Sequence, residues 1–220
     1  MREKSLWTFV GCAFVLALPA IIGAWRLDPL ALHLAMNRFH SPWADAFFSV
    51  TTNFANGWVP TMVALLMLLR TWRAFLMVGL SAGLSAILVQ TLKHTFFAGS
   101  FRPAMFLNDM PGLQLVQGFE LHHYFSFPSG HATTAFSMCL ALAVIIGRRV
   151  PAALLAVLAA VLAFSRVYLS QHFTEDILAG ALIGTLSGVA VHWLLYQGPW
   201  ARRTRLDRSP FPLRTNTARR

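Results

Sequence analysis

Charge is scarce in this chain, and acidic charge scarcest. Of 220 residues 12% are charged and 56% are hydrophobic, with 8 acidic side chains against 18 basic ones. Soluble domains carry about twice that charged fraction, so a water-soluble enzyme is excluded and a membrane-embedded single domain is expected. Only two cysteines are present, Cys12 and Cys139, both inside apolar stretches. That excludes a disulfide framework and a thiolate zinc site, and leaves them as buried packing residues. The formal charge of +10 would suit nucleic acid only if the basic residues clustered on a soluble surface. They lie instead near the ends of apolar stretches and in a C-terminal tail without apolar period, so no nucleic acid partner is expected.

A helix needs about 20 apolar residues to cross the hydrocarbon core. Six stretches qualify: Leu6–Trp25, Ala46–Leu69, Ala74–Leu92, Ser129–Gly147, Val150–Ser165 and Ile177–Tyr196. The expected fold is all-α, an integral membrane bundle of six transmembrane helices. Gly57 and Pro60 predict a kink in the second span, and Pro151 suits the first turn of the fifth. The first span follows Arg2 and Lys4 like the core of a signal peptide, but its apolar run is longer than such cores, so it is expected to be retained. Leu30 and Leu34 at helical spacing predict a short interfacial helix between the first two spans.

Orientation follows from the basic residues. With the N-terminus in the cytoplasm, 13 of the 18 fall inside: Arg2, Lys4, Arg70, Arg73, Arg148, Arg149 and seven arginines after Gly198. Arg26, Arg38, Lys93, Arg102 and Arg166 fall outside, the bias that the positive-inside rule requires. Both termini are thus expected to be cytoplasmic. Residues 1–197 form the membrane domain, and 198–220, arginine-rich and without apolar period, form a tail expected to be disordered. The expected location is a cell membrane of the bacterial inner-membrane type, crossed several times.

This orientation puts three polar clusters on the outer face: Lys93 with Arg102, then Ser129-Gly130-His131, then Arg166 with His172 and Asp176. Phosphoryl transfer spreads negative charge over several oxygens, and cationic side chains with backbone N–H groups at a helix start stabilise it. Lys93, Arg102 and Arg166 supply cations. Ser129 can cap the helix it opens, with the N–H groups of Gly130 and His131 toward an anion. His172 and Asp176, four residues apart, can pair so that the carboxylate fixes the imidazole tautomer and leaves one nitrogen free to attack. His172 is then the candidate nucleophile on phosphorus and His131 the acid that protonates the leaving oxygen. With three cations in place, neither a metal nor another cofactor is required.

Taken singly, the cations are interfacial anchors, Ser129 is a cap, each histidine is structural, and Asp176 answers the helix dipole. Together they resemble the type 2 phosphatidic acid phosphatases. The pattern of that family is a lysine spaced from Arg-Pro, then Pro-Ser-Gly-His, then Ser-Arg, five residues, His, three residues, Asp. Pro128-Ser129-Gly130-His131 matches the second part, and Ser165-Arg166, His172 and Asp176 match the third in residue and spacing. The first part departs: eight residues separate Lys93 from Arg102-Pro103, against the usual six. Ala98-Gly99-Ser100 can loop out, so both side chains are expected to reach phosphate. The resemblance implies that Lys93, Arg102, Ser129, Gly130 and Arg166 bind phosphate, His131 is the acid, His172 the nucleophile, and Asp176 its orienting partner.

The expected activity is therefore metal-independent removal of phosphate from a lipid phosphate or lipid pyrophosphate at the extracytoplasmic face, through a phosphohistidine. Candidate substrates are a polyprenyl pyrophosphate, phosphatidic acid, phosphatidylglycerol phosphate or a phosphorylated lipid A, with the lipid chain left in the bilayer. A lipid phosphotransferase could use the same site. A transporter should show ionisable or broken-helix features at the midplane, which these spans have little of. An intramembrane serine protease using Ser129 and His172 would leave the cations unexplained. The connection Ala104–Phe127 is long enough to cover the site. Its His122 and His123 lack partners at metal-ligand spacing. His192, deep in the sixth span, is expected to be satisfied by a neighbouring helix.

Overall fold

The computed structural model describes residues 1–211. It is all helical over them: α1 (Arg2–Arg26), α2 (Pro29–Asn37), α3 (Pro42–Thr51), a 3-10 turn (Thr52–Ala55), α4 (Trp58–Met67), α5 (Trp72–Thr95), a 3-10 segment (Pro103–Asp109), α6 (Gly130–Ile146), α7 (Arg149–Tyr168) and α8 (Thr174–His192). Starts and stops follow local chemistry. Asp28, Ser41 and Thr71 accept from backbone N–H groups at the starts of α2, α3 and α5, the first two followed by proline. Gly147, at φ +72°, closes α6 in the left-handed conformation that glycine adopts without steric cost.

Among the described residues four helices are long and apolar enough to cross a membrane: Arg2–Arg26, Trp72–Thr95, Arg149–Tyr168 and Thr174–Gln197. Trp58–Met67 and Gly130–Ile146 are apolar but shorter. The expected second span, Ala46–Leu69, is not one kinked helix. It is α3, a 3-10 turn and α4, with the break ending at Gly57, which caps α4, and Pro60 in the first turn of α4.

The short α6 is the central pillar. Ala132, Ala135, Cys139, Leu140 and Ala143 are fully buried, and α1, α5, α7 and α8 surround it. Outer faces carry Phe14, Ile22, Ile87, Leu154, Leu182 and Leu186 exposed, apolar surface suited to lipid. The closest packing is between α6 and α8, where Gly180, Gly184 and Gly188 form a stripe at four-residue spacing. A Cβ on Gly180 would lie 2.4 Å from the Ser129 carbonyl oxygen, and one on Gly184 2.4 Å from that of Thr133. Only glycine lets the two backbones approach this closely, and this contact sets the second motif against the third.

Residues 198–211, expected to be disordered, are docked on the start of α5. The buried Arg73 guanidinium grips Asp207 through Nε (2.7 Å) and Nη2 (3.0 Å), and donates to the carbonyls of Leu195, Trp200 (3.2 Å) and Arg203 (3.1 Å). This ion pair holds the Asp207 carboxyl below the usual carboxylate range. Residues 212–220 of the expected tail lie outside the described residues. His192 is buried and stacks on Tyr196, in the continuation of its own helix, rather than on a neighbouring one.

Candidate functional site

The three clusters converge where α5, α6, α7 and α8 end or begin on one side of the bundle. Asp176, in the first turn of α8, reaches back across the helix start. Its Oδ2 accepts from the Phe173 backbone N–H (2.9 Å), from the Ser126 hydroxyl, and pairs with His172 Nδ1 at 3.2 Å. A carboxylate so held fixes the proton on Nδ1 and leaves Nε2 as the free imidazole nitrogen. His172 is 2% exposed. Burial holds its pKa well below the usual histidine value, and the nearby positive charges of Arg102, Lys93 and Arg166 act in the same direction, partly offset by a hydrogen bond to the Ser126 backbone. Burial and these charges both favour the neutral ring.

Ser129 caps α6, its hydroxyl accepting from the Ala132 N–H at 3.4 Å. Its own N–H donates to the Asp176 carbonyl at 3.0 Å, which ties the second motif to the third. Gly130 opens α6, leaving its first N–H groups without helical partners.

The long gap before Arg102 is taken up by a turn at Ala98-Gly99, closed by the Ser100 N–H on the Phe97 carbonyl (3.0 Å). Lys93 Nζ then donates to the Phe125 carbonyl at 2.7 Å. Arg102 donates to the carbonyls of Tyr124 (2.8 Å), Gln171 (2.9 Å) and Phe125 (3.4 Å). Both cations thus meet at Phe125, beside Ser126. Burial lowers the Arg102 pKa, and Asp176 opposes that effect. Arg166 donates to the Thr52 hydroxyl at 2.7 Å, while its buried Nε has no protein partner, an open donor where an anion is expected.

Several residues outside the motifs complete the site. His131 Nε2 lies 2.8 Å from Asn56 Oδ1. Thr52, Asn56, His131, Arg166 and Gln171, with Phe119 and Glu120 from the long loop, line a pocket of about 310 Å³. The loop 104–127 is tied down by two bonds between Asn37 and Gln114 (2.7 and 2.8 Å) and by Gln171 Nε2 on the Glu120 carbonyl (3.0 Å). His33, on the short α2 that was expected between the first spans, bonds to the Ser170 hydroxyl (3.1 Å) and packs edge-on against Phe173. Ser170 sits at φ +51°, so His33 braces a strained link between Arg166 and His172. The length of the 104–127 connection marked the loop residues; nothing in the sequence marked Thr52, Asn56, His33 or Gln171 as part of the site. Among the described residues no group of three or more His, Cys, Asp or Glu could hold a metal ion, and His122 and His123 are exposed.

A helical bundle with a histidine–aspartate pair, a second histidine and three cations gathered at helix ends defines a phosphate-handling membrane protein. The PAP2 superfamily model matches residues 70–200, and the chain belongs to that family. Its long apolar helices make it a multi-pass membrane protein. It is 28% identical over 171 residues to the lipid A 4'-phosphatase of Bacteroides thetaiotaomicron, covering 75% of this chain and 74% of that one. It is 40% identical over 84 residues to the putative undecaprenyl-diphosphatase YbjG of Escherichia coli, 37% of this chain and 42% of the other. The crystal structure of Aquifex aeolicus LpxE superposes with a TM-score of 0.66 at 27% identity, over 75% of this chain and 94% of that one.

Proposed function

We propose that this lipid phosphatase hydrolyses a lipid phosphate monoester or pyrophosphate at the extracytoplasmic face through a phosphohistidine on His172, with no divalent metal. The observation that carries the reading is the buried Asp176–His172 pair, beside which Lys93 and Arg102 meet at the Phe125 carbonyl. The three cations and the open N–H groups at the start of α6 bind the phosphate oxygens. His172 Nε2 attacks phosphorus as the ester bond breaks, and His131 gives the departing oxygen its proton. His131 then takes a proton from water, the water oxygen attacks phosphorus, the N–P bond breaks, and inorganic phosphate leaves with His172 restored. Asp176 orients His172 throughout.

In this reading the broken second segment, α3 to α4, and α6 are the remaining two of six crossings, both ends are cytoplasmic and the site faces outward, which the distribution of basic residues supports. A groove of about 410 Å³ between α4 and α5, lined by Gly57, Pro60, Ala64, Gly79, Gly83 and Thr134 among others, is a route for the lipid chain from the bilayer. Thr134 is one helical turn from His131, so a chain in this groove ends beside the site. Of the candidate substrates, phosphorylated lipid A and a polyprenyl pyrophosphate agree with the relatives' names; phosphatidic acid and phosphatidylglycerol phosphate belong in the same test. That test is phosphate release from all four lipids in EDTA by wild type and His172→Ala, with and without an acceptor lipid. Release from at least one lipid, lost in the variant, is expected. Undiminished release by His172→Ala refutes the nucleophile, phosphate lost from the donor but recovered on the acceptor lipid instead of in solution favours phosphotransfer, and no loss of phosphate from any lipid favours a transporter with a degenerate site.

A further inference from the structure

We infer that Asn56, which belongs to none of the three motifs, positions the ring of His131 for proton transfer; the inference rests on His131 acting as the acid of the proposed reaction. A chain of hydrogen bonds leads to His131, and only one direction along it is consistent. Asn53 Nδ2 faces the backbone carbonyls of Ser49 (3.1 Å) and Val50 (3.3 Å). Carbonyls only accept, so the amide nitrogen must point there, and Asn53 Oδ1 must face Asn56. Asn56 Nδ2 donates to that oxygen at 3.2 Å, which turns Asn56 Oδ1 toward His131 Nε2, 2.8 Å away. An amide oxygen can only accept, so Nε2 carries a proton and is occupied by Asn56.

The nitrogen that exchanges a proton with substrate is then Nδ1. In the first step the protonated ring passes its Nδ1 proton to the leaving oxygen as the oxygen–phosphorus bond breaks and the His172–phosphorus bond forms. In the second step neutral Nδ1 takes a proton from water. Nε2 keeps its proton and its bond to Asn56 throughout, so the ring does not rotate between steps. Asn56 and His131 share a wall of the 310 Å³ pocket with Arg166, so an ester held by Arg166 places its leaving group beside the oriented ring.

A positioning role separates from a structural one by its dependence on leaving group. An alkyl phosphate needs its departing oxygen protonated, whereas p-nitrophenolate leaves without help, and kcat/KM covers binding and phosphoryl transfer to His172 but not the later hydrolysis. In Asn56→Leu, kcat/KM for a lipid alkyl phosphate is expected to fall about 10- to 100-fold while that for p-nitrophenyl phosphate stays within about 3-fold, a fraction of the usual general-acid contribution. Asn53→Leu leaves the acceptor in place but frees the amide to flip, and should show the same selectivity with a smaller loss. His131→Ala, run in parallel, must show the largest selectivity. Equal losses on both esters in Asn56→Leu, or none on either, overturn the role of Asn56. If His131→Ala also fails to discriminate, the acid assignment falls and the inference falls with it.

Discussion

Replacing Gly180 by alanine tests whether the glycine stripe of α8 sets the site's geometry. An isolated glycine-to-alanine change within a helix is favourable by up to about 1 kcal/mol. Here the new Cβ would lie 2.4 Å from the Ser129 carbonyl oxygen, 3.0 Å from Ala132 Cβ and 3.1 Å from Thr133 Oγ1. Ordinary contact needs roughly 1 Å more than the first of these, and the oxygen cannot yield alone. It accepts from the Thr133 hydroxyl (2.9 Å) and backbone N–H (3.1 Å), and the Ser129 N–H is tied to the Asp176 carbonyl. The start of α6 must therefore move away from α8, carrying Gly130 and His131 with it. Overpacking of this kind costs about 1–3 kcal/mol, which cancels or exceeds the propensity gain. A displacement of about 1 Å between reacting groups costs on the order of 100-fold in rate. Gly180→Ala should thus lose about 100-fold in kcat/KM for phosphate release while its thermal unfolding temperature in the same detergent falls only modestly. Gly11→Ala, on α1 with nothing within 4 Å of the new Cβ, should keep both. Wild-type kcat/KM in Gly180→Ala, or an equal loss in Gly11→Ala, would refute the reasoning.

Two further outcomes follow from named groups. His33 in the folded protein has a pKa lowered to about 4, chiefly by burial and then by His40, with Asp176 opposing. Its folded value lies below its unfolded one, so only the unfolded chain takes up this proton between about pH 6.5 and 4. Stability is unaffected above that window and falls within it by up to about 3 kcal/mol. His33→Gln should flatten the fall of unfolding temperature with acid, and an unchanged slope would contradict this. Gly83 lines the groove between α4 and α5 with open space before it. Gly83→Phe should raise KM about 10-fold for long-chain lipid phosphates and leave p-nitrophenyl phosphate hydrolysis unchanged; equal effects on both would remove the groove as a chain site.

The residues proposed to carry chemistry stand out in the sequence because the proposed chemistry fixes their spacing. His172 and Asp176 must share a helix entry, and Ser129 must precede the run that it caps, so the motifs could be placed before any fold was known. The extra length before Arg102 was also readable, since Ala98-Gly99-Ser100 can turn. What could not be read were partners supplied across the bundle. Composition made Ala46–Leu69 one span, but Thr52 and Asn56 are drawn inward to Arg166 and His131, and the helix breaks to let them reach. Ser126 is an unremarked loop serine until the fold sets it on Asp176. Arg73 looked like one more cytoplasmic charge; its partners are mostly backbone carbonyls, which no residue pattern announces, and they dock a segment whose composition had pointed to disorder.

The central claim is that His172 takes the phosphoryl group. The most direct measurement is to mix His131→Ala with p-nitrophenyl phosphate, whose leaving group needs no acid, quench under alkaline conditions that preserve phosphohistidine, and map the modification by mass spectrometry. A phosphoryl group on His172, lost on acidification and absent when His172 is also replaced, is the result predicted. Turnover with His172 unmodified, or a phosphoryl group on another residue, would contradict the account.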